Sequence, residues 1–317
     1  MTVTALTVAG SDPSGGAGIQ ADLKTMSALG AYGMSAVTAL TAQSTRGVTG
    51  VHTVPVDFVR LQLDTLLEDI VPDATKVGML ATAGLAEAVS GYLPRLTSTV
   101  LDPVMVATSG DRLLDEDAIS AVRRLCTLVD LITPNLHEAA VLLDEEPAKD
   151  VRALHAQAQR LLDAGARRVL VKGGHLDAEA TDVYADSDGV TLLRGRRVRT
   201  RNTHGTGCTL SSAIASLRPR RAAWLQTVRD AKAYLTDALE HADSLGVGHG
   251  HGPVHHFHAL WREVDGAHES TPLASRAVAE RAGRPLVSFA LGRETMPSRA
   301  LSSPLSRLRS GGRSRPG

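Results

Sequence analysis

The chain has 317 residues and 33.3 kDa, enough for one large layered α/β domain. With 43% hydrophobic and 21% charged residues it can bury a core, which excludes a wholly disordered chain, and 3% aromatic residues disfavour a stacking platform for single-stranded nucleic acid. Lys plus Arg and Asp plus Glu both number 34, so neither nucleic acid nor membrane is expected as a partner, and a small molecule is.

Cys126 and Cys208 are the two cysteines, too few for a disulfide framework. No run of 18 apolar residues is free of polar interruption, and the opening MTVTALTVAG lacks a basic leader region. A cytoplasmic protein is expected. The charge is unevenly spread: from Asp265 to Gly317 nine arginines face four acids, a net of +5 that leaves −5 for residues 1–264. That Arg-, Ser-, Pro- and Gly-rich extension, 265–317, is expected to be largely disordered beside a catalytic domain at 1–264.

In chain order, short β-branched runs predict strands at 2–9, 34–40, 76–80, 99–101, 129–132 and 168–171. Helical spacing predicts helices at 57–70, with Phe58, Leu61, Leu66 and Ile70 on one face, and at 115–128, 151–164 and 223–245. Two runs flanking Ser187-Asp188-Gly189 predict a hairpin. The alternation predicts an α/β fold with a mostly parallel sheet, whose strands end on one edge where ligands of such sheets bind. Gly10-Ser11-Asp12, Gln43, Met79, Asp102, Asn135 with Glu138, Lys172 with Gly173-Gly174, and His204 to Cys208 all follow strands, so they are expected to converge.

Gly16-Ala17-Gly18-Ile19-Gln20-Ala21 has the G-x-G-x-x-A spacing of a dinucleotide site, but it begins seven residues after the strand end and 30–45 holds no acid, so a structural glycine turn delivering Ala17 and Asp22 is the expectation. Asn202-Thr203-His204-Gly205-Thr206-Gly207-Cys208-Thr209 opens an apolar helix, where amides freed by glycines and the helix dipole make an anion hole. Cys208 in that hole is either a base or nucleophile with a lowered pKa or a small packed residue. Lys172 ends an apolar strand before two glycines, in a chain of five lysines against twenty-nine arginines, and suits a phosphate. Asp102 and Glu138 suit Mg²⁺ held partly through water, while Asn135 and Glu138 equally suit a helix cap. The run Gly248 to His258 carries five histidines at irregular spacing; a turn into a C-terminal helix is expected there rather than a metal site.

Taken together, Val8 to Asp22, Thr38 to Thr45, Lys76-Val77-Gly78-Met79-Leu80, Leu101 to Met105, Thr133-Pro134-Asn135 with Glu138, Val171 to His175 and Asn202 to Thr209 resemble the hydroxymethylpyrimidine/phosphomethylpyrimidine kinases of the ribokinase superfamily. The resemblance covers residues 2 to about 262. It implies a three-layer α/β/α fold, ATP as co-substrate with Mg²⁺, and phosphorylation of 4-amino-5-hydroxymethyl-2-methylpyrimidine to its monophosphate and then diphosphate in thiamine biosynthesis. It further implies Gln43 at the pyrimidine amine, with Ala17, Asp22, Met79 and Val106 lining that pocket. Lys172, Asn135, Glu138 and Thr206 fall on the ATP side, and Asp102 and Glu138 on the metal. Gly205, Thr206 and Gly207 would hold the transferring phosphoryl group, and Cys208 stands where most such enzymes have an aspartate base. A homodimer is expected. The alternatives are a pyridoxal kinase of the same superfamily and a non-catalytic pyrimidine-binding protein.

Overall fold

The computed structural model describes residues 1–105, 116–174, 176 and 180–261. Val106 and the extension 265–317 lie outside the described residues. Among the described residues nine strands form one sheet: β1 (Val3–Ser11), β2 (Ala31–Ser44), β3 (Gly47–Thr53), β4 (Ala74–Val77), β5 (Thr99–Leu101), β6 (Leu131–Ile132), β7 (Val169–Val171), β8 (Asp182–Asp186) and β9 (Gly189–Leu193). Their order is β3-β2-β1-β4-β5-β6-β7-β8-β9, with β2, β1, β4, β5, β6 and β7 mutually parallel and β3, β8 and β9 joined antiparallel.

Neighbouring residues of the central strands face opposite layers, as a sheet covered on both sides requires. Leu101, Ile132 and Val169 enter one core and Val100, Leu131 and Leu170 the other. The first core is covered by α2 (Val56–Asp69), α3 (Ala83–Tyr92), α4 (Glu116–Leu128), α5 (Leu136–Leu143) and α6 (Val151–Asp163). On the other face lie α1 (Gly18–Ala28), α7 (Thr206–Leu217) and α8 (Trp224–Glu240). The three-layer α/β/α expectation therefore holds, as does the hairpin at 187–189, which is the β8–β9 turn.

Two local expectations fail and one strand is missed, each for an identifiable reason. On α2 the buried residues are Val59, Leu63 and Leu67, while Phe58 and Leu61 are 55% and 57% exposed. The helix has two apolar stripes, and the unbroken i, i+4, i+8 row is the one that packs. Strand β3 was not expected because Gly47-Val48-Thr49-Gly50 has weak β propensity; its pairing with β2 supplies the backbone partners instead. The histidine run does not enter a helix: Pro253 bridges His204 in parallel and residues 256–260 turn.

That bridge carries His256 into the interior, where its Nε2 lies 3.1 Å from Thr209 Oγ1 on α7. Burial first, then the charges of Lys24, His255 and His258, depresses its pKa to about 3. The folded chain thus holds His256 neutral while the unfolded chain protonates it below about 6.5, so stability falls with pH between those values, by about 1.4 kcal/mol per unit. Urea titrations at pH 6.5 and 5 should show His256→Gln losing about 2 kcal/mol less than the wild type over that interval, all other titrating groups cancelling in the difference. Equal losses in both proteins would show that His256 is not neutral in the folded state.

Candidate active site

The strand-end residues do converge. Gly10, Ser11, Asp12, Gln43, Met79, Asp102, Asn135, Glu138, Lys172 and His204 to Cys208 line one cavity of about 940 Å³ at the C-terminal edge of the parallel strands. The wall nearest β1 and β2 is built by two glycine turns pressed together. A Cβ on Gly205, whose φ is +77°, would lie 1.8 Å from the Gly16 carbonyl oxygen, and a Cβ on Gly16 would lie 2.3 Å from His204 Cδ2. Only glycine allows that approach.

Asp12 ties this wall together. Its carboxylate accepts from the backbone N–H groups of Ser14, Gly16 and Ala17 and from Ser14 Oγ, and His204 Nε2 lies 2.7 Å away. Burial works to raise its pKa, but these hydrogen bonds, led by that of His204, hold it down to about 2. Gln43 lies 3.4 Å from the same imidazole nitrogen, at the mouth of the β2–β3 hairpin. Ala17 and Met79 complete this lobe.

Asp22 is a correction: it does not line the cavity. Fully buried on α1, it accepts from Thr7 Oγ1 at 2.6 Å, Ser212 Oγ at 2.6 Å and Lys76 Nζ at 2.8 Å, joining β1, α7 and β4 beneath the floor. Lys76, the equally buried cation of the pair, does reach the cavity. Burial opposes its charge, yet Asp22, with Cys208 and Asp102 further away, keeps its pKa above the ordinary lysine value.

Cys208 lies in the first turn of α7, with the Gly18 N–H of α1 bonded to its sulfur. The lowered pKa expected from the helix end does not occur. Burial pushes the thiol up to about 11 even against the pull of Lys76, with Asp22 and Asp102 adding to the rise. The helix end and the lysine are outweighed chiefly because the sulfur is buried away from water.

On the opposite side, Lys172 Nζ contacts Asp102 Oδ1 at 2.8 Å and Glu138 Oε2 at 3.8 Å. The Lys172 N–H donates to Pro134 O, so the end of β7 is registered on the loop before α5. Asn135 and Glu138 form a full capping box there: Asn135 Oδ1 accepts from the His137 and Glu138 N–H groups, and Glu138 Oε2 accepts from the Asn135 N–H. Burial, then Asp102, raises the Glu138 pKa to about 7 against the opposing charge of Lys172. Two buried carboxylates here share one lysine. The pair Asp102 and Glu138 therefore fits a hard divalent cation completed by water and phosphate oxygens. Gly207 abuts this cluster, a Cβ there falling 3.2 Å from Lys172 Nζ and 3.3 Å from Asp102 Oδ2. Beyond it opens an apolar lobe of Val141, Val198, Leu210, Leu235 and Leu239, flanked by the Lys232–Asp182 ion pair.

Thus one cavity joins a polar lobe at Gln43, an anion hole at Gly205 to Cys208, a cation with two carboxylates, and an apolar lobe. The phosphomethylpyrimidine kinase family model matches residues 12–255, spanning that whole constellation. The chain belongs to the phosphomethylpyrimidine kinase family. It is 54% identical to the hydroxymethylpyrimidine/phosphomethylpyrimidine kinase of Escherichia coli K12 over 263 residues, 82% of this chain and 99% of that one. Among solved structures, a Bacillus subtilis pyridoxal kinase in complex with ADP superposes with TM-score 0.76 at 33% identity, covering 83% of this chain and 100% of that one. The phosphomethylpyrimidine kinase of Clostridium difficile 630 superposes with TM-score 0.67 at 37% identity, covering 75% and 100%. As a member of this family the chain is a kinase.

Sequence reasoning placed Asp12 and His204 at the ligand edge without a separate role for either, and gave no role to Lys76 or the apolar lobe. A signal existed for Lys76, one of five lysines and the only charge within the strand Ala74-Thr75-Lys76-Val77. The apolar lobe gathers residues from α5, α7, α8 and the segment after β9, which no local pattern links. Because the two glycine turns touch backbone to backbone, Gly205→Ala should destabilise the chain by about 1–3 kcal/mol in urea titration and reduce kinase turnover at least tenfold. Wild-type stability and turnover in that variant would show that the wall can yield.

Proposed function

We propose that this kinase transfers the γ-phosphate of ATP to 4-amino-5-hydroxymethyl-2-methylpyrimidine and then to the resulting monophosphate, the phosphorylation steps of thiamine biosynthesis. The observation that carries the proposal is the joining, in one cavity, of Gln43 with the anion hole at α7 and the Asp102–Lys172–Glu138 cluster. Greater identity to a curated pyrimidine kinase than to a pyridoxal kinase of similar fold supports the pyrimidine over pyridoxal.

The pyrimidine enters beside Gln43, Ala17 and Met79, its hydroxymethyl group toward Cys208. The adenine side of ATP takes the apolar lobe, where Leu210, Leu235 and Leu239 give it flat apolar contact. Its phosphates run back past Lys172 to the amides of Gly205, Thr206 and Gly207, which meet developing negative charge at the positive end of α7. Asp102 and Glu138 would hold Mg²⁺, which when bound screens charge between phosphate oxygens. In the transfer, the bond from the hydroxymethyl oxygen to the γ-phosphorus forms as the bond from phosphorus to the bridging oxygen breaks. ADP leaves, and the hydroxyl proton passes to the Cys208 sulfur in those molecules whose thiol has first lost its own proton to solvent.

Gln43→Ala removes the polar contact of the pyrimidine lobe, so it should raise the pyrimidine KM at least tenfold and leave the ATP KM within twofold. A raised ATP KM with an unchanged pyrimidine KM would reverse the assignment of the two lobes.

A thiol titrating near 11 is ionised in about one molecule in ten thousand at pH 7. If Cys208 takes the proton, single-turnover rates should rise about tenfold per pH unit from 7 to 9, and Cys208→Ser should be slow and flat across that range. A flat wild-type profile would mean that the proton leaves with the transferred phosphoryl group and that Cys208 only packs.

A further inference from the structure

The run Gly248-His249-Gly250-His251-Gly252 takes no part in the chemistry of the cavity, yet its backbone is bonded to both walls of the pyrimidine lobe. On one side it grips the tip of the β2–β3 hairpin: the Gly250 N–H donates to Thr45 Oγ1 at 3.1 Å, and the His251 N–H donates to the Thr45 carbonyl oxygen at 2.9 Å. On the other it grips the loop before α7, where the His204 N–H donates to the Gly252 carbonyl oxygen at 3.0 Å and the bridge to Pro253 continues the contact. Thr45 stands two residues after Gln43, and His204 stands next to Gly205 of the anion hole. The alternating glycines follow from this fit. A Cβ on Gly248, whose φ is +76°, would lie 2.3 Å from Thr45 Oγ1, one on Gly250 2.0 Å from the Thr45 carbonyl oxygen, and one on Gly252 2.1 Å from Asn202 Oδ1. His249 and His251, between them, are exposed. Glycine loses more conformational freedom on folding than any other residue, so three at alternate positions mark a strip that has to press against its neighbours.

The hairpin needs such a grip. Strand β2 pairs with β1 only as far as Leu40, so Gln43 sits on an overhang whose further backbone partner is the edge strand β3. The direct approach of the two walls, Gln43 to the His204 imidazole at 3.4 Å, is too long to hold them together. We propose that Gly248, Gly250 and Gly252 are positioning residues: the strap they form sets the distance between Gln43 and the anion hole, and so where the hydroxymethyl group of the pyrimidine stands relative to the phosphoryl group it receives. This rests on the pyrimidine kinase function above and adds to it what aligns the two halves of the site. The apolar lobe is built from α5, α7, α8 and the segment after β9, so nucleotide affinity does not depend on the strap.

Variants of the full chain test it through the difference between pyrimidine and nucleotide. Gly252→Ala and Gly250→Ala should each cut kcat/KM for the pyrimidine at least about tenfold, since a misplacement of about 1 Å is enough for that, while the Kd of ADP by calorimetry stays within about twofold. The Gly252 collision is with a side chain, so adding Asn202→Ala should bring Gly252→Ala back to within about threefold of Asn202→Ala alone. The Gly250 collision is with a backbone oxygen, and Asn202→Ala should not rescue it. Pyrimidine kcat/KM kept in both folded glycine variants, or lost in step with ADP affinity, overturns the proposal. If either alanine variant does not fold, Thr45→Val decides, because it keeps the side-chain shape and removes only the acceptor of the Gly250 N–H. It should raise the pyrimidine KM at least about threefold with ADP binding unchanged, and an unaltered KM overturns the proposal. Amide hydrogen exchange of the ligand-free protein needs no substrate: in Thr45→Val the His251 amide and those of the β2–β3 tip should exchange at least about tenfold faster, with the β8–β9 hairpin unchanged. A wild type that turned over no pyrimidine would overturn the kinase function proposed above while that exchange pattern stood, which keeps the two failures apart.

Discussion

The site depends on a contact between two stretches of backbone. The turn after β1 and the turn before α7 meet at Gly16 and Gly205 with no room for a side chain, and that approach brings the first strand's loop within reach of His204. With the turns apart, Asp12 could not bond both its own loop and an imidazole 192 residues away. The same contact aims the first turn of α7 into the cavity, so the anion hole and the substrate lobe share one wall. Glycine here is required by the space available as well as by the backbone angle, and the two requirements coincide at Gly205.

Charge is arranged on two levels around that wall. Beneath the floor, Asp22 and Lys76 are wholly buried and fully opposed, and hydroxyls of Thr7 and Ser212 complete the carboxylate. A pair so placed contributes little net stability, because desolvation offsets its attraction, but removing one partner would leave a bare charge under the reacting centre. Above the floor, Lys172 stands between Asp102 and Glu138, and the two carboxylates outnumber it. Burial is what raises the pKa of Glu138, with Asp102 adding to it and Lys172 opposing it. Cys208 sits between the levels, and its thiol stays protonated chiefly because it is buried, with Asp22 and Asp102 adding to the effect and Lys76 opposing it.

Much of the layered fold was legible because the central strands are short, apolar and followed at once by polar or glycine residues, a pattern that survives without tertiary information. The convergence of those residues follows from right-handed crossovers alone. What was not legible depended on competition. On α2, residues 58 and 61 and residues 59, 63 and 67 offer rival apolar stripes, and only packing decides between them. Asp22 carries a motif-like position beside Ala17, yet its helix turns it under the sheet edge rather than into the cavity. The thiol of Cys208 was misjudged because helix position was weighed without the burial and the two acids that only the folded chain reveals.

Where main chain touches main chain there is no slack for small adjustment, and this bears on how such a pocket could acquire new preferences. A substitution in either glycine turn would shift both lobes together, so gradual change by that route is closed. The freedom lies in side chains that line the cavity, such as Gln43 on β2 and Met79 and Met105 in the segments after β4 and β5, whose replacement alters the shape or polarity of one lobe and leaves the phosphate-facing turn where it is. The scaffold therefore separates the question of which alcohol is accepted from the question of how phosphate is held, and lineages built on it could diversify in the first while keeping the second.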